Sequence, residues 1–140
     1  MLNGIAKCIS PELIYNLMRM GHGDKIAFAD VDFPGYTYGK NVIRADGVSM
    51  DDILAGVIPL FPLDHFTASP AYMMAPAEDA EAPLIWDRFA GILKNHYSNF
   101  NAFTFLERFA FYDAVKECFA IVVTGEADGN IILQKGVVNG

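Results

Sequence analysis

Apolar residues recur at helical spacing between Pro11 and Met20, where Leu13, Leu17 and Met20 join Ile14 and Met18 in one stripe. Ser10 stands before it as an N-cap, and Pro11 follows at the first helical position, where a missing N–H costs nothing. Gly21 supplies the residue best suited to end the helix. The period then changes. Ile26 to Ala29 is an apolar run of strand length whose carboxyl end leads into Asp30, and Asn41 to Arg44 reads as a second strand closed by the Asp46-Gly47 turn. Asp32-Phe33-Pro34-Gly35 between them reads as loop. Ser49 with Asp52 resembles a capping box and predicts a helix from Met50 to about Ile58, terminated by Pro59.

The second half continues the alternation. A strand is expected around Tyr72 to Ala75, then an exposed acidic connection from Pro76 to Pro83, then a helix with Trp86, Phe89, Ile92 and Leu93 on one face. A helix from Arg108 to Cys118 leads into Phe119 to Thr124, a continuous apolar run suited to a central strand, and Asn130 to Lys135 predicts a last strand. The pattern implies an α/β fold, a three-layer α/β/α sandwich around a mixed, largely parallel sheet, with residues 1–140 as a single domain. The sequence has no internal repeat.

Composition narrows the functional classes. With 53% hydrophobic and 19% charged residues, the 140-residue chain has material for a real core. A net charge of -7 argues against nucleic acid or an anionic membrane as partner, since the average surface field repels both. The apolar stretch Ile53 to Leu63, broken by Pro59 and Pro62, falls short of the roughly 20 residues that span a bilayer. Cys8 and Cys118 form no disulfide framework, redox pair or zinc ribbon, and two reduced thiols fit the cytoplasm. No secretory leader is evident at the N-terminus.

Few residues carry chemistry. His22 lies between Gly21 and Gly23 at a helix-to-strand turn, and an imidazole, with an unperturbed pKa near 6.5, can give and accept protons around neutrality without a cofactor. The plainer reading is a loop histidine capping a helix end. Asp30, at the carboxyl end of a strand, can accept hydrogen bonds from hydroxyls or simply cap its loop. Asp30-Val31-Asp32 also matches, weakly, the Asp-x-Asp nucleophile of magnesium-dependent phosphatases, but Phe33 is unsuited to that motif. His22, His65 and His96 lack metal-ligand spacing, and no dinucleotide or Walker fingerprint exists, so neither metal nor cofactor is expected. Met73-Met74 and the Trp86 stripe read as core.

Longer strings of residues carry more weight than single positions. Met20-Gly21-His22-Gly23-Asp24, Ala29-Asp30 with Phe33-Pro34, Ile43-Arg44-Ala45-Asp46-Gly47, Arg108-Phe109-Ala110-Phe111-Tyr112, Thr124-Gly125-Glu126 and Gly129 to Gly136 follow one another in order. In this the sequence resembles the L-fucose mutarotase branch of the L-fucose mutarotase/D-ribose pyranase family over nearly its whole length; only Pro76 to Ala102 is undistinguished. The resemblance implies a cofactor-independent isomerase that interconverts sugar anomers through the open chain. It further implies a ring-shaped homo-oligomer, a decamer, with its monosaccharide sites at subunit interfaces. Matched to the family's motifs, His22 is the proton donor and Tyr112 a second proton-transferring group. Asp30, Asp64, Met74, Arg108 and Asn130 line the sugar pocket, the match being looser at Asp64 and Met74.

One departure stands out. The family carries a tyrosine before its Gly-Asn pair, in a slightly longer loop, where this chain has Asp128 before Gly129-Asn130. Either Tyr112 acts alone, or a group such as Tyr36, Tyr38 or Tyr72 takes the missing part, or turnover is slower, and the sugar preferred is open to change as well. A monosaccharide-binding protein without turnover, and a phosphatase built on Asp30 and Asp32, are the alternative functions.

Overall fold

A computed structural model describes residues 1–77, 81 and 84–138. Ser10 caps the first helix, α1 (Pro11–Arg19), its hydroxyl accepting from the Leu13 N–H at 3.0 Å. Strand β1 (Lys25–Ala29) follows, then a four-residue helix α2 (Gly35–Tyr38), β2 (Val42–Ala45) and α3 (Met50–Val57), whose N-cap Ser49 accepts from the Asp52 N–H. The chain continues through β3 (Ala71–Met74), α4 (Ile85–His96), β4 (Thr104–Leu106), α5 (Arg108–Lys116), β5 (Ala120–Thr124) and β6 (Ile131–Gln134). The expected elements are all present, with ends shifted by a residue or two.

Two elements were not anticipated. α2 occupies the tail of the stretch read as loop, where Pro34 sets the first turn, and its four residues are too few to show a helical period. β4 is three residues long and lies beside β3 at the sheet edge, below the length at which alternation can be recognised. Part of the expected acidic connection from Pro76 to Pro83 lies outside the described residues.

The sheet order is β2-β5-β1-β6-β3-β4. β1 pairs in parallel with β5, as do β2 with β5 and β3 with β4, whereas β6 runs antiparallel to both β1 and β3. The sheet is therefore mixed and largely parallel, as the alternation implied. Its two faces divide cleanly along each strand, because successive side chains point to opposite sides. Ile26, Phe28, Val122, Ile131 and Leu133 pack with α1, α3 and α4 in the larger core. Ala27, Ala29, Ile121, Val123 and Ile132 meet Phe111 and Val115 of α5, with Phe33, on the other side. β5 is buried at all five positions, which explains why it reads as an unbroken apolar run.

Among the described residues no helix is long and apolar enough to cross a membrane. Phe28 is wholly enclosed at the centre of the larger core. Replacing it with alanine is expected to cost about 3–5 kcal/mol, read as a lowered urea midpoint with an unchanged slope.

Candidate functional site

The turn between α1 and β1 is built to present His22. Gly23 takes a φ of 89°, a conformation that glycine adopts without penalty. The Asp24 carboxylate accepts from the Gly21 N–H at 2.7 Å, and the Gly23 N–H donates to the Lys135 carbonyl just beyond β6. The His22 side chain between these anchors is 45% exposed. Its Nε2 lies 3.2 Å from Oδ1 of Asp64, a carboxylate only 4% exposed. Asp64 also accepts from the Phe66 N–H at Oδ1 and from Gln134 Nε2 at Oδ2, and Tyr72 donates its hydroxyl to Gln134 Oε1 at 2.7 Å. Burial would raise the Asp64 pKa, but the donors from Phe66, His22 and Gln134 outweigh it and hold the carboxyl below its ordinary range. The Phe66 ring stands 5.4 Å from the imidazole.

A second polar group forms at the opposite end of β1. Asp30 accepts from the Asp32 and Gly129 N–H groups and from Asn130 Nδ2, while its own N–H donates to Asn130 Oδ1 at 2.9 Å. Gly129 is required here, because its φ of 143° is unfavourable for other residues and a Cβ would strike Ile85. Partial burial raises the Asp30 pKa against these hydrogen bonds, and the nearby negative charge of Asp128 adds to the rise.

The aromatic residues of α2 and α5 cover the sheet near this end. Tyr112 stacks on Tyr38 with centroids 5.0 Å apart, and Phe33 tilts against both rings. The tyrosine ring is half-buried, yet its hydroxyl makes no hydrogen bond among the described residues. Arg108 opens α5 and lies 5.7 Å from the Tyr112 centroid. It has no carboxylate partner among the described residues and sits at a helix N-terminus, where the dipole disfavours a cation. Such a local conflict is typical of groups retained for a ligand. Met74 is partly buried on the same face.

The fold thus brings His22 to Asp64, Asp30 to Asn130, and Arg108 to Tyr112. No hydrogen bond, ion pair or ring contact among the described residues joins His22 to the Asp30 group. β1 lies between them, and its length alone separates the ends by about 13 Å. A cavity of about 740 Å³ is lined by Asp64, His65, Thr67, His96 and Tyr97 among others. His22, Asp30 and Tyr112 are not among its lining residues.

A protein-family model described as the RbsD / FucU transport protein family matches residues 3–138. The chain belongs to the RbsD / FucU family. An L-fucose mutarotase of Haemophilus influenzae is 44% identical over 140 residues, covering 98% of this chain and 97% of the relative. A fucose mutarotase of Danio rerio is 42% identical over 145 residues, covering 98% and 94%. The solved structure of the fucose mutarotase from Streptococcus pneumoniae in complex with L-fucose superposes with a TM-score of 0.92 at 38% identity, covering 98% of this chain and 99% of that one.

Within this RbsD / FucU chain, Gln134 and Phe66 are the neighbours of the site that sequence reasoning passed over. Gln134 carried a signal, since it is the polar residue that ends the apolar run Ile131-Ile132-Leu133. Phe66 carried none, because its approach to His22 depends on a contact between distant loops. Of the tyrosines considered as substitutes for the loop tyrosine, Tyr72 reaches the His22 network, Tyr38 stacks on Tyr112, and Tyr36 is exposed beside Arg44.

The two carboxylates have opposite linkage to stability. Asp64, lowered in the fold, contributes stability above the unfolded carboxylate pKa that is lost as pH falls through its folded value. For Asp30, raised in the fold, stability instead falls as pH rises from the unfolded value through the folded one. Carbon-detected NMR titration is expected to place the Asp64 midpoint below, and the Asp30 midpoint above, those of exposed aspartates.

Proposed function

We propose that this chain is a cofactor-independent isomerase that interconverts the α and β anomers of L-fucose or a closely similar free aldose. The observation that carries the reading is its end-to-end likeness, at 38% identity and a TM-score of 0.92, to a fucose mutarotase solved with L-fucose. The relatives at 40–44% identity bear the same name along their full length. The residues suit the chemistry. Ring opening requires a proton delivered to the ring oxygen and another taken from the anomeric hydroxyl, and closure on the other face of the carbonyl reverses both transfers. An exposed imidazole and an unpaired phenol can exchange these duties without a metal.

His22 is taken as the proton donor and Tyr112 as its counterpart. Asp30, Asn130, Arg108 and Met74 are assigned to the sugar, carboxylate, amide and guanidinium being able to pair its hydroxyls. The separation of the two polar groups by β1 exceeds the width of a monosaccharide. A site using both therefore needs His22 of one copy and Asp30 of another, which favours a ring-shaped homo-oligomer, a decamer in this reading, with sites between subunits. The free thiols Cys8 and Cys118 fit a cytoplasmic setting.

The phosphatase alternative loses ground to the donor set around Asp30. Both carboxylate oxygens already accept from N–H groups, and the described residues hold no group of three or more metal-ligating side chains. A binding protein without turnover remains the second reading, because Asp128 stands where the family has its tyrosine.

Saturation-transfer NMR on L-fucose separates these functions. Accelerated exchange between the anomeric signals is expected, and saturable binding with no acceleration over buffer would favour the binding protein. Substituting His22→Ala should slow exchange by about a hundredfold or more, whereas full activity in that variant would remove His22 from the mechanism. Arg108→Ala should change stability by less than about 0.5 kcal/mol while weakening fucose binding about tenfold or more. Co-refolding equal amounts of the His22→Ala and Asp30→Ala variants should restore about a quarter of the activity if each site draws on two copies. No recovery would place both residues in sites of single chains.

A further inference from the structure

We propose that Thr124 is a positioning residue for Asp30, its one hydroxyl fixing the turn that holds the aspartate toward the sugar. This deepens the mutarotase reading and rests on it for the role of Asp30. The string Thr124-Gly125-Glu126 belongs to neither polar group described above, yet it follows β5 where that strand runs beside β1. Ala29 is the register partner of Val123, which brings Thr124 level with Asp30 at the carboxyl end of both strands. Thr124 is wholly buried.

The peptide groups on either side of Asp30 are fixed through this side chain. Thr124 Oγ1 donates to the Ala29 carbonyl at 2.8 Å and accepts from the Glu126 N–H at 3.1 Å. Held in this way, Glu126 presents its own carbonyl to the Val31 N–H at 2.8 Å. The Asp30 N–H goes to Asn130, and the Asp30 carbonyl accepts from the Phe33 N–H at 3.2 Å. Every backbone polar group of the two flanking peptides is therefore engaged. The hydroxyl supports the Ala29 carbonyl directly and the Val31 N–H through Glu126.

The turn that carries Glu126 is itself anchored. Glu126 Oε2 accepts from the Met50 N–H at the head of α3 at 3.1 Å and lies 3.7 Å from Arg88 of α4. Gly125 donates its N–H to the Val48 carbonyl at 2.8 Å, and a Cβ on Gly125 would come 3.0 Å from the Gly47 backbone. The turn after β5 thus rests on the turn after β2, and Thr124 carries that seating across to β1. Packing alone does not require a hydroxyl here, because valine has nearly the same volume and suits a buried strand. Valine would leave the Ala29 carbonyl and the Glu126 N–H without their partner in a buried setting, and the backbone around Asp30 would move to recover them. A carboxylate that must meet sugar hydroxyls at hydrogen-bond distance is sensitive to shifts of about 1 Å.

Thr124→Val and Thr124→Ser, compared in the full chain, test the assignment. In the valine variant the fucose KM should rise about tenfold or more while the saturated rate of anomer exchange stays within about threefold. The serine variant keeps the hydroxyl and should hold KM within about threefold of the unsubstituted protein. Amide hydrogen exchange with no sugar present gives a second readout: the Val31 N–H should exchange about tenfold or more faster in Thr124→Val than in the unsubstituted protein. A valine variant with a lowered urea midpoint but unchanged KM and unchanged Val31 exchange would make Thr124 a support of the fold alone and overturn the proposal. Should that variant not fold, the unsubstituted protein decides, since a Val31 N–H exchanging as fast as an exposed loop amide would equally overturn it. Failure of the mutarotase reading is seen separately, as absent anomer exchange in the unsubstituted protein, and the amide readout then still decides whether Thr124 fixes the Asp30 turn.

Discussion

The register of β6 against β1 is the constraint from which both polar groups arise. Lys25 lies opposite Gln134 and Phe28 opposite Ile131, so the antiparallel ladder sets Gln134 near the entry of β1 and Asn130 near its exit. Gln134 then reaches Asp64, which holds His22, while Asn130 exchanges two hydrogen bonds with Asp30. A slip of one residue would turn Ile132 toward the wrong core and carry Gln134 away from Tyr72 and Asp64. Burial of both faces of β6 opposes such a slip, since Ile131 and Leu133 fill one core and Ile132 the other.

The antiparallel strand also has a chemical consequence. In an all-parallel sheet, ligand groups gather outside the carboxyl ends of the strands. Asp30 and Arg108 obey that rule, because β1 and β4 both end on that side. Inserting β6 in the reverse sense sends one polar side chain, Gln134, to the other end of the sheet, where the Gly21-His22-Gly23 turn stands. One strand thus supplies a side chain to each of the two polar groups.

Electrostatics distinguish the two ends. Hydrogen bonds from Phe66, His22 and Gln134 hold the Asp64 carboxyl below its ordinary range despite its burial. Asp30 is burdened by partial burial and by Asp128, so its carboxyl resists ionisation more than a free aspartate does. Asp128 adds a negative charge beside that carboxylate.

Much of this protein was legible in its residues. The α1 stripe with its Ser10-Pro11 entry, the apolar runs of β1 and β5, and the Ser49 cap are local signals, decided by side-chain period and backbone hydrogen bonding within a few residues. The short strings around His22, Asp30, Arg108 and Gly129 carried the family with them. α2 and β4 were not legible, since elements of four and three residues are stabilised by what they pack against rather than by their own pattern. Nor could the sequence say which candidate residues meet. The partnership of His22 with Asp64 spans 42 positions and that of Asp30 with Asn130 spans 100, and both depend on how a reversed strand aligns with β1. Chemistry-bearing residue types are a property of the chain, but their distances are set by long-range pairing, and only the folded sheet could reveal that the candidate residues gather at its two ends.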